Sequence, residues 1–198
     1  MKPLFVLIVS MLMLLSCSKE PEKSQEPASA EKSLFEEVKE QTIKNPKDAE
    51  AWYHLANLYE NAQMHQEEMA ALQKVIELDP GRGYAYVKLG NAYNRLGRPQ
   101  DAVTSFRTAL KYFPKDPVLY NNLAVSYGKL GKTDEEIAFL EKAISLRPHY
   151  ATARHNLGIT MLRIGKRGEA LKQYNELNKF DTIVASSLKK EIDQQKEK

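Results

Sequence analysis

A period of 34 residues runs through most of the chain and limits the folds that it can adopt. Prolines recur at this spacing at Pro80, Pro114 and Pro148. A leucine and a small residue recur with them, at Leu55, Leu89, Leu123 and Leu157 and at Ala56, Gly90, Ala124 and Gly158. Periods of roughly 20–50 residues are typical of proteins built from one repeated supersecondary unit. The sequence therefore predicts four units, at 49–82, 83–116, 117–150 and 151–184.

Each unit contains two segments whose apolar residues follow the spacing of an amphipathic helix. In the second unit the first segment includes Leu89 and Tyr93, and the second segment includes Ala102 and Phe106. Gly97 separates the two segments, and glycine suits the positive φ with which many helices end. The chain has no run of alternating β-branched residues that would indicate a strand. Each unit is therefore predicted to be a helical hairpin, which buries its apolar face only by stacking on its neighbours.

Residues at fixed places in the units resemble the tetratricopeptide repeat, whose signature is Trp-x₂-Leu-Gly-x₂-Tyr, then Ala-x₃-Phe and then Pro. The matching residues are Trp52, Leu55, Ala56 and Tyr59 in the first unit, Tyr86, Leu89, Gly90, Tyr93, Ala102, Phe106 and Pro114 in the second, and Tyr120, Leu123, Ala124, Tyr127, Leu140 and Pro148 in the third. The fourth unit diverges, with Arg154 and Met161 at aromatic places. The resemblance implies an all-α fold, a right-handed superhelical solenoid of helix-turn-helix repeats with flanking helices.

Two departures from the signature and the two ends of the solenoid add further expectations. Glu68 and Glu136 occupy the small-residue place where the two helices of a unit pack closest, so we expect looser packing in those units.

Residues 31–48 are predicted to form an N-terminal helix, and residues 183–198 a C-terminal capping helix with a polar tail, because a solenoid needs its last apolar face covered. The predicted apolar stripes are Leu34, Phe35, Val38 and Ile43, and Ile183, Val184, Leu188 and Ile192.

Residues 1–16 have the pattern of an export signal. A lysine precedes the apolar run 4–15, whose length as a helix, about 18 Å, is too short for the roughly 30 Å of a bilayer core. The run ends in Leu14-Leu15-Ser16-Cys17, which resembles the lipobox of bacterial lipoproteins. The resemblance implies a lipoprotein signal peptide, cleavage before Cys17 and acylation of that cysteine, with palmitate among the acyl groups. The alternative is an ordinary secretory signal followed by an incidental cysteine.

Residues 17–30 are predicted to be the lipidated cysteine and a flexible tether, because 18–30 contains no large apolar residue. Cys17 is the only cysteine of the chain, so an intrachain disulfide is impossible. In many Gram-negative lipoproteins an aspartate after the cysteine retains the protein in the inner membrane, and this chain has Ser18 there. We therefore expect a lipid-anchored protein of the cell envelope, at the outer membrane facing the periplasm rather than at the inner membrane.

No catalytic or cofactor motif has its required spacing in this chain. Residues 128–133 end like a phosphate-binding loop, with Gly131-Lys132-Thr133. The first glycine of such a loop would fall at position 126, where this chain has Ser126. No Gly-x-Ser-x-Gly motif is present, and the four histidines lack the spacing of a helical zinc site. Most of the ten tyrosines occupy core places rather than alternating with basic residues, which argues against nucleic-acid binding. We therefore predict a protein that is not an enzyme, with no cofactor, metal, nucleotide or nucleic acid.

The first helices of tetratricopeptide units face the groove of the solenoid, so the resemblance implies a peptide-binding groove. Its predicted residues are Tyr53, Asn57, Tyr84, Lys88, Asn91, Asn94, Arg95, Asn121, Asn122, Lys129, His155, Asn156 and Arg163. Asparagine recurs among them although it is a mediocre helix former. Its amide donates and accepts hydrogen bonds, which suits the backbone of an extended peptide. We expect Asn91, Asn122 and Asn156 to bind that backbone.

Charge is unevenly distributed along the chain. Residues 31–79 carry 5 basic and 11 acidic side chains, whereas residues 80–180 carry 17 basic and 8 acidic side chains. We expect Lys88, Arg95 and Arg163 to attract acidic groups of a bound chain, so the predicted partner is a protein or an extended peptide with an acidic segment.

Together these features predict a membrane-anchored scaffold or adaptor for protein–protein interaction in the bacterial cell envelope. The narrower expectation is a role in assembling a pilus, a secretion machine or an outer-membrane machine. Two other classes stay open, a regulatory subunit of a cell-wall enzyme and a structural self-association module. The alternative binding surface is the convex face or the basic stretch 142–168, where the ligand would include anionic lipid.

Overall fold

The structure is a computed structural model that describes residues 26–195, with side chains from Ser33 onward. This part of the chain forms ten α-helices and no β-strand. The helices are α1 (Glu26–Lys44), α2 (Ala49–Asn61), α3 (His65–Leu78), α4 (Gly83–Arg95), α5 (Pro99–Tyr112), α6 (Pro117–Lys129), α7 (Thr133–Leu146), α8 (Ala151–Arg163), α9 (Arg167–Leu177) and α10 (Thr182–Gln194). None of the ten has both the length and the apolar character that crossing a membrane requires. The predicted signal peptide and Cys17 lie outside the described residues.

Helices α2 to α9 form four hairpins in chain order. Their first helices begin 34 residues apart, at Ala49, Gly83, Pro117 and Ala151. Gly97, Gly131 and Gly165 lie in the turns within the last three hairpins and have φ values of 71°, 71° and 76°. Asp48 and Asp116 cap α2 and α6 by accepting hydrogen bonds from backbone amides of the first turn. The predicted all-α repeat solenoid is confirmed.

The core lies between the first and second helices of the hairpins and continues from one hairpin to the next. Phe106 of α5 is fully buried against Gly90 of α4, where an added Cβ atom would lie 2.6 Å from the ring. Leu89 and Tyr93, which share a face of α4, are buried as predicted. Phe139 of α7 packs against both the N-terminal and the C-terminal part of the core. Each hairpin is therefore stabilised by its neighbours.

Helix α1 packs against the first hairpin. The ring of Phe35 meets that of Tyr59 edge-on, with 5.1 Å between the ring centroids, and Val38 is buried. Because α1 begins at Glu26, the prediction of a tether over 17–30 is wrong for 26–30. Proline is tolerated in a first helical turn, and the alanines that follow favour a helix. Ile43 is 72% exposed and is not part of the packing stripe. It follows Val38 by five residues, which places the two side chains about 140° apart around the helix axis.

Helix α10 packs on α8 and α9 at the other end of the stack. It begins at Thr182, before the predicted end of the fourth unit at 184. Leu188 is fully buried beside Gly158 of α8, where a Cβ atom would lie 2.5 Å from the leucine side chain. Ile183 was assigned to the same stripe by its apolar character, but it is 83% exposed because it lies five residues from Leu188. The buried residues of α10 are Ala185, Leu188 and Ile192.

Candidate peptide-binding groove

Helices α2, α4, α6 and α8 lie side by side, and hydrogen bonds connect side chains of neighbouring first helices. Asn122 Nδ2 of α6 donates to Asn91 Oδ1 of α4 at 3.2 Å. Asn156 Nδ2 of α8 donates to Asn121 Oδ1 of α6 at 2.9 Å. The repeat period explains these contacts, because residues about 34 positions apart lie at the same height on adjacent helices. Polar side chains therefore connect α4, α6 and α8 across one face of the stack.

Ion pairs connect the first two units across this face. Lys88 Nζ of α4 lies 2.5 Å from Glu60 Oε2 of α2. Arg95 Nη2 lies 2.7 Å from Glu68 Oε1 of α3 and 3.3 Å from Glu60 Oε1. Burial by itself would raise the pKa of Glu60, but the hydrogen bonds and positive charges of Lys88 and Arg95 lower that pKa below its usual value. Glu60 is therefore ionised at neutral pH and holds both cations in place.

The two carboxylates at small-residue places are buried and paired. Glu68 is 1% exposed and Glu136 is 8% exposed. Arg95 donates to Glu68 Oε1, and His65 Nδ1 lies 3.2 Å from Glu68 Oε2. Thr160 Oγ1 donates to Glu136 Oε1 at 2.7 Å, and Arg163 donates to Glu136 Oε2. A buried charge is tolerated when it is paired and hydrogen-bonded. The prediction that these two units pack more loosely is wrong. Each carboxylate fills the space between the two helices of its unit and is hydrogen-bonded there.

Aromatic rings lie near the start of the face. The ring of Tyr53 is 5.3 Å from the guanidinium carbon of Arg82 and 5.9 Å from Lys88 Nζ, within the range of cation–π interactions. Tyr84 is 62% exposed, and its ring centroid lies 4.5 Å from that of Phe113. An exposed tyrosine offers both apolar area and a hydroxyl group to a bound chain. This end of the face can therefore stack against a ligand side chain.

Several groups of the predicted groove set keep unused hydrogen-bonding capacity or charge. Within residues 33–195, Asn57 Oδ1, Asn94 Oδ1 and His155 Nε2 are buried and have no hydrogen-bond partner. Lys129 Nζ donates to the backbone oxygen of Asn94 at 2.6 Å, and no carboxylate of the same residues forms an ion pair with it. Burying a polar atom without a partner is costly. The three side-chain atoms without a partner lie below the surface, so a bound chain contacts them only if neighbouring side chains move.

No cluster of His, Cys, Asp and Glu side chains in the described part of the chain is placed to hold a metal ion. The face instead offers amides, paired charges and aromatic rings. Such groups can bind and orient another chain.

Comparison with known families identifies the repeats. A family profile described as tetratricopeptide repeat matches residues 87–151, and a second profile with the same description matches residues 49–82. Together the two profiles match half of the chain. The chain belongs to the tetratricopeptide repeat family. It is therefore a protein-interaction scaffold at the level of the family, because stacked repeats of this kind bind partners on extended concave surfaces.

Solved structures share this tetratricopeptide fold. A crystal structure of MamA matches with a TM-score of 0.72 and 23% identity, covering 77% of this chain and 84% of that chain. YrrB, described as a TPR protein with an unusual peptide-binding site, matches with a TM-score of 0.61 and 25% identity, covering 73% and 75%. PilW, described as a type IV pilus biogenesis factor, matches with a TM-score of 0.66 and 18% identity, covering 77% and 71%. A search of curated proteins found no match.

The asparagines of the tetratricopeptide groove partly bind one another. Asn91, Asn122 and Asn156 each use one amide atom in a bond to a neighbouring first helix. Asn121 is buried, so its side chain serves the contact between α6 and α8. The expectation that Asn91, Asn122 and Asn156 bind a peptide backbone therefore concerns their remaining amide atoms. Peptide binding by the remaining atoms stays a prediction.

The cations of the groove are mostly paired within the chain. Lys88, Arg95 and Arg163 were expected to be available to acidic groups of a ligand, but each forms an ion pair with a glutamate. Lys129 is the cation of the predicted groove set that has no such pair within residues 33–195. Within this set, the positive charge that is left without a counter-charge therefore lies at the C-terminal end of α6.

Sequence reasoning missed the acidic partners in the groove. Glu68 precedes Arg95 by 27 residues, and Glu136 precedes Arg163 by the same 27 residues. The two pairs are themselves two periods apart, and this recurrence was the signal available in the sequence. Glu60 was also missed, because a glutamate occurs at this groove place in the first unit only.

Proposed function

We propose that this protein is a membrane-anchored scaffold of the bacterial cell envelope that binds an extended segment of a partner protein along α2, α4, α6 and α8. The observation that carries the proposal is the pair of amide bridges that joins α4 to α6 and α6 to α8. Amides that are already held by a neighbouring helix lose little side-chain entropy on binding. Asn122 Oδ1 and Asn156 Oδ1 keep acceptor capacity for the amide groups of a peptide backbone.

Three further features support the cellular side of the proposal. The lipobox-like Leu14-Leu15-Ser16-Cys17 supports a lipid anchor, and several acyl chains at about 0.8 kcal/mol per buried CH₂ would hold the protein at a membrane. Ser18 supports the outer membrane rather than the inner membrane. The basic excess of residues 80–180 supports an acidic partner. We extend the proposal to assembly of an envelope machine such as a pilus, a secretion system or an outer-membrane complex.

Replacing Cys17 with serine should abolish the anchor, because serine lacks the thiol that carries the lipid. We expect the Cys17→Ser variant to lose metabolic labelling by radioactive palmitate and to leave the membrane fraction or to accumulate unprocessed. Ser18→Ala is the matched control, since it changes the adjacent residue and keeps the thiol, and it should be labelled like the wild type. Palmitate labelling of Cys17→Ser at the wild-type level would refute the lipoprotein assignment.

Replacing Asn91, Asn122 and Asn156 together with alanine should weaken partner binding at least about tenfold, because each lost hydrogen bond contributes roughly 0.5–1.5 kcal/mol. The full-length protein in detergent would first capture partners from solubilised membranes of the native organism. The best-captured partner would then be titrated against the wild type and the variant. Thermal unfolding by circular dichroism is needed beside the titration, because the variant also loses two bonds between first helices.

The matched control for this variant changes three exposed amides on second helices, Gln66, Gln100 and Asn175, to alanine. It removes the same chemical groups from the outer face, so it should bind the partner like the wild type. If the groove variant is folded and also binds at wild-type affinity, the groove is not the binding surface. Loss of binding in the control variant would instead place the partner on the second helices.

A further inference from the structure

The groove changes character between its first and second halves. The ninth places of the four units carry Asn57, Asn91, Val125 and Ile159. Val125 is 37% exposed on α6, so an apolar side chain faces solvent where the first two units carry amides. The first half of the groove therefore offers hydrogen bonds at this height, and the second half offers apolar surface.

A cavity of about 270 Å³ opens between α6 and α8 at the apolar half. Val125, Ile159 and Leu140 contribute its apolar walls, and Gly128 also lines it. Gly128 leaves room for the carboxylate of Glu136, from which an added Cβ atom would lie 2.8 Å away. A side chain at that place would therefore force the carboxylate to move and would reshape the cavity.

The polar groups around the cavity leave one positive charge for a ligand. Both carboxylate oxygens of Glu136 are engaged within the chain, one by Thr160 and the other by Arg163. Lys129 also lines the cavity, and within residues 33–195 no carboxylate pairs with its ammonium group. The cavity thus combines apolar walls, an acid that is already neutralised and a cation without a counter-charge.

We propose that this cavity binds a leucine-sized aliphatic side chain of the partner's extended segment, and that a carboxylate beside that side chain pairs with Lys129. The inference rests on the proposed function, because it assigns a specific subsite within the same groove. Burial of an aliphatic side chain against Val125, Ile159 and Leu140 supplies the affinity. The charge of Lys129 selects an acidic residue next to the aliphatic one in the partner's sequence. The amides of α4 and α6 bind the backbone of the same segment.

The test uses two labelled peptides and the full-length protein in lipid nanodiscs. The peptides are Gly-Asp-Ser-Asp-Leu-Asp-Ser-Asp-Gly and the same sequence with glycine in place of leucine, and fluorescence anisotropy measures Kd. The leucine peptide should bind the wild type about 10- to 100-fold more tightly than the glycine peptide. Val125→Asp should remove this difference, because a carboxylate in the wall opposes burial of an aliphatic group.

Val118→Asp is the matched control for the cavity. Val118 lies on the same helix, is also 37% exposed and does not line the cavity, so the difference between the two peptides should persist. Lys129→Met should weaken both peptides equally and reduce the salt dependence of their binding, because it removes the charge and keeps the side-chain stem. Equal binding of the two peptides to the wild type would overturn the proposal, as would loss of their difference in Val118→Asp.

The same measurements separate failure of the subsite from failure of the groove. If both peptides bind the wild type equally and neither binds the triple asparagine variant, the subsite is refuted and the groove stands. If neither peptide binds the wild type and the triple variant still captures the cellular partner, both the subsite and the proposed groove function are refuted.

Discussion

Replacing Phe106 with alanine is expected to lower the free energy of unfolding by about 3–5 kcal/mol. The ring is fully buried and fills the space beside Gly90, so its removal leaves a cavity between α4 and α5. In a stack of repeats this loss also weakens the adjoining units, because each unit depends on its interfaces with its neighbours. Urea unfolding followed by far-ultraviolet circular dichroism measures the change in the midpoint and in its slope.

Tyr84 provides the control for this substitution, because it is an aromatic residue on α4 that is mostly exposed. We expect Tyr84→Ala to cost less than about 1 kcal/mol, as is usual for surface substitutions. An unchanged unfolding midpoint for Phe106→Ala would show that α4 and α5 do not pack in this register.

Removing the positive charge of Arg95 should destabilise the protein by about 2–3 kcal/mol, because it leaves the buried carboxylate of Glu68 with only His65 Nδ1 as a partner. The expected loss is smaller than for a fully buried pair, since the Arg95 side chain is 34% exposed and water screens it in part. Arg95→Met keeps most of the side-chain stem and removes only the guanidinium group. Urea unfolding of this variant at neutral pH gives the cost.

The double variant Glu68→Ala with Arg95→Met tests the reason for this loss. Alanine occupies the equivalent place in Ala102 and Ala170, so the double variant should regain stability to within about 1 kcal/mol of the wild type. Lys172→Met removes an exposed cation from its pair with Glu169 and should cost about 0–1 kcal/mol. If the double variant is as unstable as Arg95→Met alone, the penalty does not come from the carboxylate that lost Arg95.

The candidate site was predictable only in its outline. The period places Asn91 and Asn122 on neighbouring first helices, and the structure brings their amides within hydrogen-bond distance. The pairing of Arg163 with Glu136 was not predicted, because the sequence has many charges and does not say which of them meet across two units. The groove assignment of Arg163 therefore identified its position and missed its partner.

The repeat, its helices and its core follow from the sequence by itself. Residues such as Leu89 and Phe106 recur at a spacing that only a stack of helical hairpins can bury, so local periodicity is sufficient to predict them. Only the tertiary structure decided which face of α10 is buried, because Leu188 fits beside Gly158 while Ile183 points away from it. It also decided that Glu136 fits beside Gly128. Such choices depend on the shape of the space between helices, which a sequence pattern does not contain.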